Sequence, residues 1–157
     1  LTLIASQETA AKTGDLVCVD YKVVGFDNLT SMQFSVQWDP AILDFVNVQG
    51  LENLVNLAPS SFGTPDMASV GPGKLTVSWS YVDPADPGVD LPDSTTIFQA
   101  CFRAIGACEK STSIDFVDSP TPFEFTNTVK EGFELKVVTE SGKVSVGPCD
   151  PPGLKLF

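Results

Sequence analysis

Residues 31–45 read SMQFSVQWDPAILDF, and the first eight of them alternate strictly between polar and apolar side chains. A period of two predicts a β-strand with one buried face, because successive side chains of a strand point to opposite sides. The apolar side chains are expected to face the core, since burying each one is worth roughly 1.5–3 kcal/mol. They are Met32, Phe34, Val36 and Trp38. Asp39-Pro40 then ends the strand.

A second segment, Lys74–Tyr81, repeats the alternation, with its apolar residues at Leu75, Val77, Trp79 and Tyr81. Most other segments also have this period, and the breaks between them are rich in Gly, Pro, Asp and Ser. This pattern is typical of an all-β sandwich. The spacing of the leucines between Leu51 and Leu57 suits a short helical turn, which is the single helix candidate.

Composition restricts the function. The chain has 157 residues, 43% of them hydrophobic, which predicts one globular domain. A net charge of −11 disfavours nucleic acid and anionic lipid as partners. The sequence contains no run of eighteen apolar residues, the length that would indicate a membrane span. The sequence contains no histidine, the usual acid-base group at neutral pH. We therefore expect a protein that is not an enzyme.

The four cysteines lack the Cys-x-x-Cys spacing of zinc or redox sites. They are Cys18, Cys101, Cys108 and Cys149. An even number without metal spacing predicts two disulfides in an oxidising compartment, which favours a secreted or cell-surface location. The alternative is a reduced protein with buried thiols.

Four motifs in this order resemble a cohesin-type domain over roughly residues 1 to 147. They are Met32–Pro40, Leu43-Asp44-Phe45, Gly73–Trp79 and Ile97–Gly106. The resemblance implies a jelly-roll β-sandwich of about nine strands. Its best-known members bind dockerin modules, and others occur in surface and adhesion proteins. Residues 148–157, with the sequence PCDPPGLKLF, are expected to form a C-terminal tail or a linker to a further domain.

The resemblance also implies that the strands at 31–38 and 74–81 are neighbours in one sheet. Their polar side chains would then share its outer face, and we predict that this face binds a partner. Short uncharged groups are unusual on a solvent face, where Lys and Glu are the ordinary choice. Dockerin-binding members use Asn and Asp at the positions of Ser31 and Gln33. The predicted partner-binding residues are Ser31, Gln33, Ser35, Gln37, Thr76, Ser78 and Ser80. The alternative is a plain hydrated face.

Cohesin-like topology would place the strand of Cys18 beside that of Cys101, so the resemblance implies a Cys18–Cys101 disulfide. Cys108 would then pair with Cys149 and hold the end of the last strand against the body. The alternatives are Cys101–Cys108 with Cys18–Cys149, or no disulfides.

The loop from Asp83 to Ser94 concentrates four carboxylates and three prolines, and the prolines forbid a central strand there. Calcium prefers six to eight oxygen ligands, so any bound Ca²⁺ is expected at this loop. Its ligands would be Asp83, Asp86, Asp90 and Asp93. The spacing differs from an EF-hand, and the alternative interpretation is a solvated acidic loop with Asx turns.

Together with the cohesin resemblance, these patterns predict a non-catalytic extracellular module that docks a protein partner; the resemblance implies either a dockerin-like module or a neighbouring copy in a surface assembly. One alternative is a carbohydrate-binding module, which needs outward-facing aromatic rings to stack on a polysaccharide. Both tryptophans fall on the inward set, and only a register shift of one residue would expose them. Another alternative is a structural repeat in a surface stalk or filament.

Overall fold

A computed structural model describes residues 1–85, 87–128 and 135–149. These residues form thirteen β-strands and one 3₁₀-helix, Pro59–Ser61, so the predicted all-β class is confirmed. None of them belongs to a helix long and apolar enough to cross a membrane. The strands are β1 Thr2–Ala5, β2 Gln7–Ala10, β3 Leu16–Val24, β4 Phe26–Gln37, β5 Leu43–Gln49, β6 Phe62–Gly63, β7 Lys74–Ser80, β8 Val89–Leu91, β9 Thr95–Ala104, β10 Ser111–Val117, β11 Glu124–Asn127, β12 Val138–Glu140 and β13 Gly142–Val146.

The strands form the two sheets of a jelly-roll sandwich. The five-stranded sheet has the order β12-β1-β3-β9-β5. The eight-stranded sheet has the order β2-β13-β10-β4-β7-β6, and β8 and β11 also pair with the long strand β4. The strand count exceeds the expected nine because several strands are short segments, such as the two residues of β6.

The predicted adjacency of the two alternating segments is confirmed, since β4 pairs antiparallel with β7 along seven residues. Met32 lies opposite Trp79, and Phe34 lies opposite Val77. Trp38 is 4% exposed and Trp79 is 3% exposed, so the apolar set faces the core as predicted.

The core between the sheets is rich in aromatic rings. Tyr21 stacks on Phe98 of the neighbouring strand with ring centroids 4.4 Å apart. Trp38 meets Phe102 edge to face at 4.8 Å, which joins the two sheets. Such pairs contribute about 0.5–1.5 kcal/mol beyond the burial of their area. The two sheets therefore form a single packed scaffold that holds their outer faces in place.

Both disulfides implied by the cohesin resemblance are present. Cys18 and Cys101 are direct cross-strand partners on β3 and β9, with Cα atoms 4.0 Å apart. Cys108 bonds to Cys149, just beyond the last strand. The two disulfides thus cross-link the sandwich that presents the two outer faces.

Two local predictions differ from the structure or extend past it. The predicted helical turn at Leu51–Leu57 is wrong: the segment forms turns, while Leu54 and Leu57 bury their side chains. The proline-rich loop does contain a short strand, β8, but among the described residues β8 pairs with β4 alone, so it is not a central strand. Of the predicted tail, residues 150–157 lie outside the described part of the chain.

Candidate functional site

The candidate site is the outer face of the β4–β7 pair, which we name the polar face. The antiparallel register aligns its side chains in cross-strand pairs, with Ser31 opposite Ser80 and Gln33 opposite Ser78. Gln37, Ser78 and Ser80 are exposed, and the remaining members are half-buried. The polar face comprises Ser31, Gln33, Gln37, Thr76, Ser78 and Ser80. The structure therefore brings six of the seven predicted residues together on one accessible surface.

The prediction that Ser35 belongs to this exposed surface is wrong, because its side chain is 0% exposed. Strand β10 ends opposite Ser35, and the chain pairs again with the same edge of β4 as β11, beginning opposite Gln33. The Ser35 hydroxyl donates to the Thr121 carbonyl at 2.8 Å and accepts from the Thr121 amide, also at 2.8 Å. Ser35 attaches the connection between β10 and β11 to the sheet and is not available to a partner.

Sequence reasoning missed two polar residues of β11 that extend the polar face. Glu124 lies opposite Gln33, whose amide donates to its Oε2 at 2.7 Å. The Thr126 hydroxyl is hydrogen-bonded to those of Thr30 and Ser31. The alternation of Glu124, Phe125 and Thr126, with Phe125 buried, was the available signal, but it does not reveal that β11 lies beside β4.

The β7 half of the polar face presents hydroxyl groups that are available to a partner. Among the described residues, no partner is present for the hydroxyls of Thr76, Ser78 and Ser80. A shallow depression of about 290 Å³ lies between this half and β11. Glu124 is the one charged residue among the described residues that line it. A partner thus meets free hydroxyl groups beside a single carboxylate.

The aromatic side chains are not arranged for stacking on sugar rings. Each tryptophan buries its ring and donates its indole N–H to a backbone carbonyl, Trp38 to Leu43 at 3.2 Å and Trp79 to Val55 at 2.7 Å. Tyr21 is buried and Tyr81 is half-buried. Polysaccharide binding by exposed aromatic rings has no support from these positions.

Three of the four carboxylates predicted for calcium accept hydrogen bonds from backbone amides. Asp90 accepts from the amide of Asn28 at 2.7 Å, and Asp93 accepts from the amide of Gly25 at 3.0 Å, so both attach the loop to the β3–β4 turn region. Asp83 forms an Asx turn with Ala85. Asp86 lies outside the described residues. Within the described part of the chain, no three acidic, cysteine or histidine side chains are grouped to hold a metal ion.

The described residues form a two-sheet jelly-roll with an accessible polar sheet face, and comparison with known proteins identifies the family. The cohesin domain model matches residues 2–146, so this chain belongs to the cohesin family. No curated protein matches the sequence.

Solved cohesins share the fold at low sequence identity. The third ScaC cohesin of Acetivibrio cellulolyticus, solved in complex with the ScaB dockerin, is 18% identical with a TM-score of 0.71, covering 93% of this chain and 98% of that one. The seventh ScaB type I cohesin of Pseudobacteroides cellulosolvens is 13% identical with a TM-score of 0.70, covering 99% and 97%. A non-cellulosomal cohesin from the archaeon Archaeoglobus fulgidus is 18% identical with a TM-score of 0.66, covering 92% and 89%.

Proposed function

We propose that this cohesin domain is a non-catalytic docking module that binds a dockerin-type protein through the polar face. The observation that carries the proposal is the set of free hydroxyls on β7 beside Glu124, in a family whose solved relatives include complexes with dockerins. Protein interfaces contain about one hydrogen bond per 100–200 Å². Unpaired hydroxyls on a flat sheet are suited to supply such bonds.

The chemistry of the face indicates the complementary partner surface. Glu124 is exposed, and Gln33 already orients its carboxylate. A basic side chain at the centre of the partner surface would meet this carboxylate, with donors and acceptors around it for Ser78 and Ser80. A partner with an acidic centre would be repelled by Glu124 and by the net charge of −11.

The direct test is isothermal titration calorimetry of the purified, disulfide-bonded domain against a panel of recombinant dockerin modules. For any module that binds, Ser78→Arg is expected to weaken binding at least about tenfold, equivalent to 1.4 kcal/mol, because the larger charged side chain occupies the centre of the face. The matched control is Ser141→Arg, an exposed serine between β12 and β13. Equal binding by both variants would place the interface elsewhere, and the absence of any dockerin binding would refute the proposal.

We also propose an extracellular location, secreted or at the cell surface. The support is the pair of disulfides, which persist in oxidising compartments and are rare in cytosolic proteins. Thiol labelling of the native protein, followed by mass spectrometry, is expected to find all four cysteines unlabelled. Labelled thiols in protein taken from its native compartment would contradict this location.

A further inference from the structure

A second surface lies at the open side of the sandwich, where edge strand β5 of one sheet comes close to β6 of the other. Two recesses of about 320 and 620 Å³ meet there, and both are lined by Phe45 and Asp66. We name the combined recess the β5 groove. None of its lining residues belongs to the polar face, so the two surfaces are distinct.

The walls of the β5 groove are largely apolar. Phe45 is half-buried between Trp38 and Phe102 and leaves part of its ring in the groove. Val46 is 45% exposed and occupies a bulge in the β5–β9 pairing. A β-bulge changes the direction in which a side chain points. Prolines complete the walls, at Pro40, Pro59, Pro65 and Pro72.

Strand β5 also has an unpaired edge. Among the described residues it pairs with β9 alone and ends the five-stranded sheet. An edge strand presents N–H and C=O groups that are ready to pair with another extended chain. At about 3.3 Å per residue, the seven residues of β5 would accommodate a peptide of roughly seven residues.

The charged residues at the rim of the β5 groove indicate which kind of ligand it binds. Asp44 and Asp66 are both exposed, and they are the only charged residues among the described residues that line the groove. We propose that the β5 groove binds an extended peptide segment of a partner protein, with apolar side chains beside Phe45 and Val46 and a basic side chain at the two aspartates. Pairing of β5 with a second copy is disfavoured, because β5 has no basic residue and each copy carries a net charge of −11.

The test uses the ¹⁵N-labelled, disulfide-bonded domain and the acetylated, amidated peptide Thr-Val-Lys-Val-Lys-Val-Thr as the probe. Titration at low salt is expected to shift amide resonances of β5 and of residues 59–66, leaving those of β7 unchanged. The same peptide with glutamate in place of lysine is expected to bind at least tenfold more weakly. Replacing both Asp44 and Asp66 with asparagine should weaken binding of the lysine peptide and reduce the difference in affinity between the two peptides.

Val46→Lys is expected to reduce binding of the lysine peptide at least tenfold by placing a charge on the groove wall. The matched control is Val138→Lys, because Val138 is 53% exposed on β12, the opposite edge of the same sheet. Both variants replace exposed side chains, and their amide spectra report whether they fold. The proposal is overturned if β5 resonances do not shift, or if the two peptides bind wild type equally. A dimer seen in sedimentation of the domain alone and abolished by Val46→Lys would also overturn it, by assigning the groove to a second copy.

Discussion

Replacing Ser35 with alanine separates a structural role from a docking role within strand β4. The Ser35 hydroxyl makes two hydrogen bonds to the backbone of Thr121, each 2.8 Å long, and the side chain is fully buried. A hydrogen bond of this kind contributes about 0.5–1.5 kcal/mol net, so losing both is expected to cost about 1–3 kcal/mol. The segment between β10 and β11 would lose its attachment to the sheet.

The assay is thermal and urea unfolding without reductant. For a chain of this size, 1 kcal/mol corresponds to roughly 2–4 °C, so Ser35→Ala is expected to lower Tm by roughly 2–12 °C. Ser78→Ala is the matched control, because Ser78 is exposed on the next strand and should change stability by less than about 0.5 kcal/mol.

Partner binding gives the second readout. Below the unfolding transition, Ser35→Ala should bind a dockerin within twofold of wild type, since a buried hydroxyl makes no contact with a partner. Unchanged stability in Ser35→Ala would refute the inferred attachment. If Ser35→Ala lost binding with unchanged stability, Ser35 would have to contact the partner directly.

Three further predictions concern the core and the disulfides. Tyr21→Phe should raise stability by about 1 kcal/mol in urea unfolding, because the buried hydroxyl has no hydrogen-bond partner among the described residues. Burial raises the pKa of Tyr21, so wild type should lose stability as pH rises above the ordinary value of 10.0, and Tyr21→Phe should lose less. Tryptophan emission should be blue-shifted and resist acrylamide quenching; readily quenched emission would contradict the burial of Trp38 and Trp79. Replacing Cys18 and Cys101 together with alanine should cost roughly 4–5 kcal/mol in urea unfolding, from the loop entropy of a separation of 83 residues. A loss below about 1 kcal/mol would refute that estimate.

Local alternation was sufficient to predict the sandwich and the inward side of its main strands. In β4 and β7 a slip of one residue would expose two tryptophans and bury serines and glutamines, so the pattern allows one register. The same reasoning fails for Ser35, which sits at an outward position of β4. Its burial depends on Thr121, which is 86 residues away in sequence. No local sequence pattern reports such a long-range contact.

The missed residue Glu124 has the same explanation. Its outward orientation follows from the buried Phe125 beside it, but its membership of the site depends on β11 pairing with β4. The acidic loop illustrates a different limit: Asp90 and Asp93 have the right chemistry for calcium, yet each accepts from a backbone amide of the β3–β4 region. Carboxylates suit both roles, and the sequence alone does not show which backbone amides they contact.

The two halves of the polar face, on β4–β11 and on β7, would contribute differently to binding a partner. On the β4–β11 half, Gln33 and Glu124 are already ordered by their mutual hydrogen bond. Less side-chain entropy is therefore lost when a partner contacts Glu124. On the β7 half, serine and threonine have few rotamers, whereas lysine or glutamate would lose up to about 1.5–2 kcal/mol each on immobilisation. A face built from these residues offers hydrogen bonds at low entropic cost. The carboxylate of Glu124 favours one orientation of a basic partner group. Specificity would then depend mainly on Glu124, and affinity mainly on the surrounding hydroxyls.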